Sequence, residues 1–336
     1  MPTYRLENIK YNYNDTLETW LVFLRDLRTE LNDWIPGIAS KEAVVDAKEY
    51  LLKLDYAINE IEEDKKNWIV SDIVKDDFTN KITNVKFKPL NISPYCSRLF
   101  EQCDKILIMS ATILDIKAFC KNVGLDPNTV KFIEVGSEFP IENRPIFKLN
   151  TAYLNYKTLE LENVQRVITN AVDKIMNIHK NHKGIIHTTS YTQVKFIEKL
   201  LSKNNKRRLI HTDPEIKRDE VINKHFDNDE PSVLISPSLY TGLDLKDDQS
   251  RFQILVKVPY LNMKDRWINT KKEADGGSIW YNWQTAITLV QACSRSIRSK
   301  DDWAKTYILD SAFDDFVRRN KLPIWFTEAI MSTREG

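Results

Sequence analysis

The chain has 336 residues, 42% hydrophobic and 29% charged, an ordinary composition for a folded protein with room for two domains. Lysine and arginine number 49 against 48 acidic residues, so the net charge of +1 excludes a generally basic nucleic-acid binder, and any basic surface must be local. No apolar run reaches the length of a membrane span, and the N-terminus lacks a signal-peptide core, so we expect a cytoplasmic protein without a membrane partner.

The cysteines and histidines predict no metal site. The cysteines contain no C-x-x-C pair, which favours reduced thiols over zinc ligands or disulfides: they are Cys96, Cys103, Cys120 and Cys293. His179 and His182 lie among lysines in IHKNHKG, a pattern typical of a solvated helix end. Metal binding by this histidine pair is the less favoured interpretation.

The first third of the chain predicts a helical hairpin. Apolar residues recur every three or four positions from Leu17 to Trp34, and Pro36 then interrupts the pattern. A second amphipathic helix is expected to begin at Ser40, a suitable N-cap, and to continue to Ile61. Simple packing of two amphipathic helices accounts for this whole stretch.

The pattern changes near residue 68. Two short β-rich runs, NWIVSDIV and ITNVKFKPL, precede a helix in PYCSRLFEQCD. The run from Lys105 to Ser110 predicts a buried strand. The segment ILDIKAFCKNVG predicts a helix that ends at Gly124, because glycine readily adopts the left-handed conformation of a helix C-terminus.

Strands and helices alternate beyond residue 150. Strands are predicted in GIIHTTS, RRLIHT, SVLISP, FQILVKVP and AKTYILD. Helices are predicted in LENVQRVITNAVDKIMNIHKNHK, YTQVKFIEKLLSKN, EIKRDEVINKHFD and TAITLVQACSRSIRS. Apolar strands without clean alternation, joined by helices, indicate an α/β doubly wound parallel sheet covered on both faces. Ligands are expected beyond the carboxyl ends of its strands.

Two stretches of small or polar residues follow predicted strands. Ser110, Ala111 and Thr112 follow the first of them, where a plain strand-to-helix turn is the alternative interpretation. Gly242 and Asp244 follow SVLI in SPSLYTGLD, where the glycine permits a turn and the carboxylate can accept hydrogen bonds from a ribose or an arginine. A loop with a turn glycine is the alternative there.

The stretch QACSRSIRSK places Gln291, Arg295 and Arg298 on one face of a predicted helix. Guanidinium groups form bidentate hydrogen bonds with phosphate, and two of them can neutralise the charge that develops on a transferring phosphoryl group. The alternative is surface arginines paired with Asp301 and Asp302.

The order of these stretches resembles that of motifs III, V and VI in superfamily 2 helicases. Several longer segments resemble the XPD/DinG family of DNA helicases, in the same order, from about residue 84 to residue 330. They are VKFKPLNISPYCSRLFEQCDKILIMSATI, SEFPIENRPIF, GIIHTTSY, SPSLYTGLDL and QACSRSIRSKDDWAKTYILD. The resemblance implies a RecA-like second motor domain at 138–336, the end of a first motor domain at 68–137, and a helical arch-like segment at 1–67.

By this resemblance the chain belongs to an ATP-dependent DNA helicase, an ATP hydrolase that moves 5′ to 3′ on single-stranded DNA. Arg295 and Arg298 would act as arginine fingers on ATP, and Gln291 would support that contact. The other residues linked to the nucleotide would be Gly242, Asp244, Ser110, Ala111 and Thr112.

The expected DNA contacts offer hydroxyl, aromatic or cationic groups to phosphates and bases. They are Thr189, Ser190, Tyr191, Ser238, Tyr240 and Lys257. Repair, replication and a viral role are all compatible with the resemblance.

Three parts of the family pattern are missing from this sequence. No glycine begins a G-x-x-x-x-G-K-S/T loop, and no Asp-Glu-x-His magnesium motif occurs. The four-cysteine segment that holds an iron–sulfur cluster in some members is also absent, so no cluster is expected in this chain. We therefore expect ATP and Mg²⁺ to be held mainly by a separate N-terminal helicase half that carries the Walker A and B motifs.

A further departure is Ser294, where the family usually has glycine. Its side chain could crowd a close domain contact and slow ATP hydrolysis. The absent phosphate loop also keeps a second function class open, a non-catalytic nucleic-acid-binding or regulatory module with the same fold.

Overall fold

The computed structural model describes residues 16–76, 78–211, 218–239, 244–294 and 296–331. Packing divides these residues into two compact units. The first contains the described residues up to Ile106, with Lys121–Leu125 and Asn262–Ser278. The second contains Leu107–Cys120, Asp126–Leu261 and the described residues from Ile279 onward. The domain boundaries expected after residues 67 and 137 stay predictions.

The helices and strands of the described residues are as follows, in chain order. The helices are α1 (Leu17–Trp34), α2 (Lys41–Glu63), α3 (Ser93–Phe100), α4 (Ile116–Val123), α5 (Glu162–Ile178), α6 (Tyr191–Leu200), α7 (Lys203–Lys206), α8 (Arg218–Phe226), α9 (Arg266–Glu273), α10 (Gly277–Cys293), α11 (Ala312–Arg319) and α12 (Ile324–Thr327). The strands are β1 (Trp68–Lys75), β2 (Ile82–Pro89), β3 (Ile146–Ala152), β4 (Gly184–His187), β5 (Leu209–His211), β6 (Val233–Ser236), β7 (Phe252–Leu255), β8 (Lys305–Asp310) and β9 (Ile330–Met331).

The first unit combines the predicted helical hairpin with a β-hairpin. Helix α2 begins at the predicted cap, where the Ser40 hydroxyl accepts a hydrogen bond from the Ala43 amide. Strands β1 and β2 pair antiparallel. Trp20 of α1 is fully buried and packs with Val70 and Ile82 of this β-hairpin, so the two hairpins share one small core.

Gly124 ends helix α4 as predicted. Its φ is +78°, in the left-handed region that glycine adopts without strain. A β-carbon at this position would also lie 2.6 Å from the Cβ of Ser93. Both the backbone conformation and the close neighbour therefore require glycine here.

The second unit is built on the predicted doubly wound sheet. Its strand order is β5-β6-β4-β7-β8-β3-β9, and every neighbouring pair is parallel. Successive residues of one strand enter different hydrophobic clusters: Ile254 packs with α5 and α6, whereas Leu255 packs with α10 and α11. Both faces are covered, which explains why strand sequences such as VLIS lack a polar face.

The strand predicted from Lys105 to Ser110 is wrong. These residues belong to no helix or strand, and Leu107 and Met109 are 83% and 80% exposed. The physical reason is the absence of a partner, because no strand of either described sheet lies beside them. An apolar run becomes a strand only when a neighbour satisfies its backbone hydrogen bonds.

Two further element predictions need correction. Strand β3 was not expected, although it pairs with both β8 and β9. Helix α10 was expected near residues 285–299, but it begins at Gly277 and ends at Cys293. The Ser294 hydroxyl donates a 2.8 Å hydrogen bond to the Val290 carbonyl at this end. The predicted row of side chains on one helix face is therefore wrong for Arg298.

His179 is not part of a solvated helix end. It is buried at the C-terminus of α5, where its ring stacks on Phe252 and its Nε2 lies 3.0 Å from the Tyr307 hydroxyl. Burial, followed by the nearby His182, lowers the pKa of His179 to about 4. His179 is buried although the residues around it are polar, and the neighbouring lysines led to the prediction of a solvated segment.

Candidate functional site

The second unit contains a cavity of about 520 Å³ at the C-terminal end of α10. One side of the cavity is apolar and includes Phe139, Ile146 and Phe326. The other side carries hydroxyl, amide and guanidinium groups. These polar side chains are Ser110, Thr112, Ser137, Arg144, Gln291, Ser294 and Arg298. Two sequence stretches separated by about 180 positions thus contribute to the same polar wall.

Gln291 connects the two stretches directly. Its Nε2 donates a 2.9 Å hydrogen bond to the hydroxyl oxygen of Thr112. The Thr112 amide in turn donates to the Ser110 hydroxyl at 3.2 Å. Trp283 of α10 also donates from its indole nitrogen to the Ile113 carbonyl, at 2.8 Å. The segment 110–113 is therefore fastened to α10 along its length, and Ala111 lies between these contacts on the cavity wall.

Arg298 faces a carboxylate of this chain. Its Nε donates a short hydrogen bond to Asp244 Oδ1, and the two side chains are 37% and 68% exposed. The expected alternative partners, Asp301 and Asp302, do not bind this guanidinium. An ion pair with this much exposure contributes little stability, because water screens it and both side chains must be ordered. Arg298 can therefore exchange Asp244 for another anion at little cost.

Arg295, Tyr240 and Gly242 lie outside the described residues. Their expected roles as arginine finger, DNA contact and turn glycine stay predictions. The residues on either side of Arg295 are described, and each makes a hydrogen bond. The hydroxyl of Ser296, buried completely, donates to the Ser250 hydroxyl at 2.8 Å.

The predicted DNA contacts that lie among the described residues are at the carboxyl ends of β4, β6 and β7. Thr189 exchanges two hydrogen bonds with Gln193, one from its amide and one to its hydroxyl. The Ser190 hydroxyl caps helix α6, and Ser238 bonds to Ser236. Tyr191 packs against the sheet's core. The hydroxyl oxygens of Thr189 and Ser190 are acceptors in these hydrogen bonds, so these bonds do not use their O–H donors.

Lys257 is the unusual group at this edge. Burial lowers the pKa of its ammonium group, and the nearby Asp310 carboxylate acts in the opposite direction. Its Nζ lies 5.4 Å from the centre of the Tyr260 ring. Asp310 accepts backbone hydrogen bonds from Leu154, Val258 and Ala312 and so joins three loops. Burial is the larger of the two effects on the Lys257 ammonium group.

Several residues of this edge were missed by the sequence reasoning. Tyr153 and Tyr156 follow β3 directly and expose their rings. Asp310 ends β8, where burial raises the pKa of its carboxyl group. The signal for Asp310 was present, since a carboxylate at the end of the apolar run YIL lies at the ligand-binding edge of a parallel sheet. The tyrosines could not be found because β3 was not predicted.

The described ranges hold no group of three or more His, Cys, Asp or Glu side chains arranged to bind a metal ion. No described helix is both long and apolar enough to cross a membrane. Burial also raises the pKa of the Cys293 thiol, which lines the cavity. The chemistry of the cavity therefore rests on its arginine, amide and hydroxyl groups.

Residues 172–329 match the family described as helicase C-terminal domain. Curated relatives align over short stretches. The Fanconi anemia group J protein homolog of Gallus gallus is 32% identical over 82 residues, which are 21% of this chain and 6% of that protein. The Regulator of telomere elongation helicase 1 homolog of Arabidopsis thaliana is 27% identical over 101 residues, which are 25% of this chain and 10% of that protein.

Solved helicase structures share the fold. A structure described as an XPD helicase superposes with a TM-score of 0.55 at 14% identity, covering 96% of this chain and 57% of its own. The Xpd4 structure of S. tokodaii gives 0.52 at 14% identity, covering 86% and 57%. The chain thus spans 57% of these two structures. The RecA-like fold and the likeness to the C-terminal half of an XPD-family helicase are confirmed.

Proposed function

Because residues 172–329 form a helicase C-terminal domain, we propose that this chain supplies one half of the ATP site of an ATP-dependent DNA helicase. No G-x-x-x-x-G-K-S/T loop occurs in these 336 residues, so the proposal requires that another polypeptide segment bind the β- and γ-phosphates. The observation that carries the proposal is the polar cavity wall, where Arg298 is paired with an exposed carboxylate beside the Gln291–Thr112 hydrogen bond.

The chemistry of the wall fits a polyphosphate. Its hydroxyls, its amide and its guanidinium are hydrogen-bond donors, which phosphate oxygens require. ATP supplies the phosphoanhydride bond that is cleaved. No described acidic cluster is present to hold Mg²⁺, so the metal is expected on the other half of the site.

Arg298 performs the chemical role of this half. When the γ-phosphate approaches, its guanidinium leaves Asp244 and donates to the phosphoryl oxygens as negative charge develops there. Gln291 keeps segment 110–112 fixed to α10, so that a change at the phosphate is transmitted to that segment. By the family resemblance, Arg295 adds a second cation and Gly242 shapes the Asp244 loop.

Single-stranded DNA is the proposed second ligand, with 5′ to 3′ movement implied by the resemblance alone. Lys257 is suited to a backbone phosphate, since burial outweighs the effect of Asp310 and a further anion would favour the charged ammonium group. The exposed rings of Tyr153 and Tyr156 are suited to stacking on bases. Thr189, Ser190 and Ser238 line the same sheet edge through their loops.

The exposed apolar run at residues 107–109 supports a missing half. A second run, residues 132–135, contains Ile133 and Val135, which are exposed in the same way. Neither run joins a strand of the described sheets. Exposed apolar segments without hydrogen-bonding partners are typical of surfaces that another polypeptide segment covers.

A non-catalytic nucleic-acid-binding or regulatory module is the second candidate. The missing G-x-x-x-x-G-K-S/T loop favours it directly, because no residue of this sequence can cradle the β- and γ-phosphates in that way. The neighbouring reading frame discriminates between the two. A frame that encodes Walker A and B motifs supports the helicase, and its absence supports the module.

The proposed role of Arg298 is tested in the assembled motor. We expect Arg298→Ala to lower kcat for single-stranded-DNA-stimulated ATP hydrolysis by at least about 100-fold, with a much smaller change in the KM for ATP. Arg318→Ala is the matched control, since Arg318 forms a solvent-exposed ion pair on α11. Equal kcat values for the Arg298→Ala variant and the control would contradict the proposal.

A further inference from the structure

Asp302 is a buried carboxylate that accepts hydrogen bonds from the two loops that carry Arg298 and Asp244. Its side chain is fully buried and accepts four hydrogen bonds. Oδ1 accepts one hydrogen bond from Arg251 Nη1 at 2.6 Å and one from the backbone amide of the next residue, Trp303, at 2.9 Å. Oδ2 accepts from the backbone amides of Arg298 at 3.1 Å and of Asp247 at 3.3 Å.

The two amides on Oδ2 belong to different loops. One loop follows α10 and carries Arg298, and the other precedes β7 and carries Asp244 three positions before Asp247. A single oxygen atom thus fixes the distance between the backbone that presents the guanidinium and the backbone that presents its carboxylate partner. No other described carboxylate bonds to both loops.

Arg251 balances the buried charge of Asp302 and anchors it to the sheet. Besides its bond to Asp302, Arg251 donates to the Trp303 carbonyl at 3.0 Å and to Asp248 at 2.9 Å. Its guanidinium also lies 5.1 Å from the centre of the Trp303 ring. The amide of Lys305, the first residue of β8, bonds to the Arg251 carbonyl. The carboxylate is therefore held by the ends of two adjacent strands.

Backbone geometry shows that the Asp247 loop is held under constraint. Asp247 has a φ of +52°, in the left-handed region that residues with a β-carbon rarely adopt. Such a conformation persists when the surroundings determine it, and here the Asp302 carboxylate binds the Asp247 amide. Buried Ser296 adds a second link between the same two regions through Ser250.

We propose that Asp302, together with Arg251, is the positioning residue that holds Arg298 and Asp244 opposite each other at the cavity. Asp302 touches neither nucleotide nor DNA and acts only through the Arg298 loop. Its effect on turnover rests on the proposed function of Arg298, whereas its effect on loop geometry does not.

The first test uses the isolated chain and amide hydrogen exchange measured by NMR. We expect Asp302→Asn to speed exchange of the Arg298 and Asp247 amides at least about 10-fold, because a neutral amide is a poorer acceptor for three donors and a cation. Exchange at Ile254 in the centre of the sheet should not change. Asp301→Asn, an exposed neighbour with the same charge change, is the matched control. Wild-type exchange at both amides in the Asp302→Asn variant would overturn the proposal.

Asp302→Asn leaves Arg251 without its buried anion, with only the exposed Asp248 as an acidic partner, and could prevent folding. The double variant Asp302→Asn, Arg251→Gln removes both charges and preserves the test, since no unpaired ion is left inside. It should fold and show the same fast exchange at Arg298 and Asp247. A folded double variant with protected amides would contradict the proposal equally.

The second test separates positioning from general stability in the assembled motor. We expect Asp302→Asn to lower kcat at least about 10-fold on its own, and less than about twofold when Arg298 is already alanine. If the two substitutions lowered kcat by independent factors that multiply in the double variant, Asp302 would not act through Arg298. If Arg298→Ala by itself left kcat unchanged, the proposed function would fail, and the amide exchange result would still decide the positioning proposal.

Discussion

Arg298 makes a weak, exposed ion pair with its side chain and a buried hydrogen bond with its backbone amide. Its side chain bonds to Asp244 in water-accessible surroundings, while its backbone amide bonds to the fully buried Asp302. The screened pair can open for an incoming phosphate, and the buried bond keeps the loop in place when it does. A guanidinium that is free to turn on a fixed backbone is suited to charge that appears only during reaction.

Two buried histidines should make the protein sensitive to mild acid. Burial lowers the pKa of His225 to about 4, and the pKa of His179 is lowered to about 4 as well. Between the unfolded value near 6.5 and this folded value, the unfolded chain binds more protons, so stability falls as pH falls. One such histidine removes about 2 kcal/mol of unfolding free energy at pH 5.

His225→Gln should reduce this acid sensitivity. In the native chain, Nε2 of His225 lies 2.8 Å from the Gln249 carbonyl and Nδ1 lies 2.9 Å from the Ser232 hydroxyl, and a glutamine amide can serve both partners without titrating. Urea unfolding at pH 7 and pH 5 measures the difference. The control variant His211→Gln, at an exposed position, should lose as much unfolding free energy between pH 7 and pH 5 as the native chain. An unaltered pH dependence in the His225→Gln variant would refute the assignment.

At the residue scale, the sequence predicted groups that do meet around one cavity. Gln291, Ser110, Thr112 and Arg298 all lie on its wall. Asp244 was expected to accept hydrogen bonds from a ribose or an arginine, but Arg298 was not identified as that arginine, because the two residues lie 54 positions apart and meet only through the fold. Asp302 was assigned to a surface pair for a similar reason, since a charged residue in the hydrophilic stretch SKDDW gives no sign of burial.

At the element scale, the run at residues 107–109 has the sequence of a strand but forms an exposed segment outside the described sheets. The apolar runs 107–109 and 132–135 have the composition of buried strands, and β-branched and long aliphatic side chains dominate them. Composition alone predicted a strand for the first run and could not reveal that the described chain offers it no neighbour. Burial of these side chains requires a surface that the second unit does not provide.

Charged substitutions on these runs should block assembly and spare the fold. We expect Leu107→Glu with Met109→Glu to leave the melting temperature of the chain within about 2 °C, because surface changes without lost contacts cost little. The same variant should bind a P-loop-bearing N-terminal half at least about 10-fold more weakly. Val167→Glu on the exposed face of α5 is the matched control. Unchanged binding would show that residues 107–109 do not face that half.

The remaining errors at this scale come from tertiary context. Strand β3 contains alternating polar residues in IFKLNTA and follows Pro145, so it lacked the continuous apolar run by which the other strands were recognised. Helix α10 ended earlier than its periodicity suggested, because the Ser294 hydroxyl bonds to the preceding turn and the chain then turns toward Asp302. The apolar strands β4, β6, β7 and β8 were predicted well, because each has a neighbouring strand in the sheet, whereas the equally apolar run from Lys105 to Ser110 has none among the described strands.

At the scale of the whole molecule, the near-neutral net charge limits how the chain could bind the DNA proposed as its ligand. With 49 basic and 48 acidic residues, attraction to DNA must come from a few positions. The position proposed here is Lys257 with the tyrosines after β3, which the parallel strand order brings to the carboxyl edge of the sheet from distant parts of the chain.

Single-stranded DNA binding should therefore show a shallow salt dependence. We expect Lys257→Met to reduce the slope of log affinity against log salt by about 0.7, the value for one lost phosphate contact on a single strand. Lys180→Met is the matched control, because Lys180 is exposed and precedes strand β4, whereas Lys257 follows strand β7. Fluorescence anisotropy with a labelled oligonucleotide measures both variants. Equal slopes for the two would exclude Lys257 as a phosphate contact.

The most direct test of the account is steady-state ATP hydrolysis with single-stranded DNA, measured for the purified chain alone and after mixing with an N-terminal half that carries Walker A and B motifs. The account predicts no DNA-stimulated turnover by the chain alone and turnover in the mixture that depends on Arg298. Turnover by the pure chain that disappeared in the Arg298→Ala or Arg295→Ala variant would contradict it, because the chain would then possess a complete nucleotide site of its own.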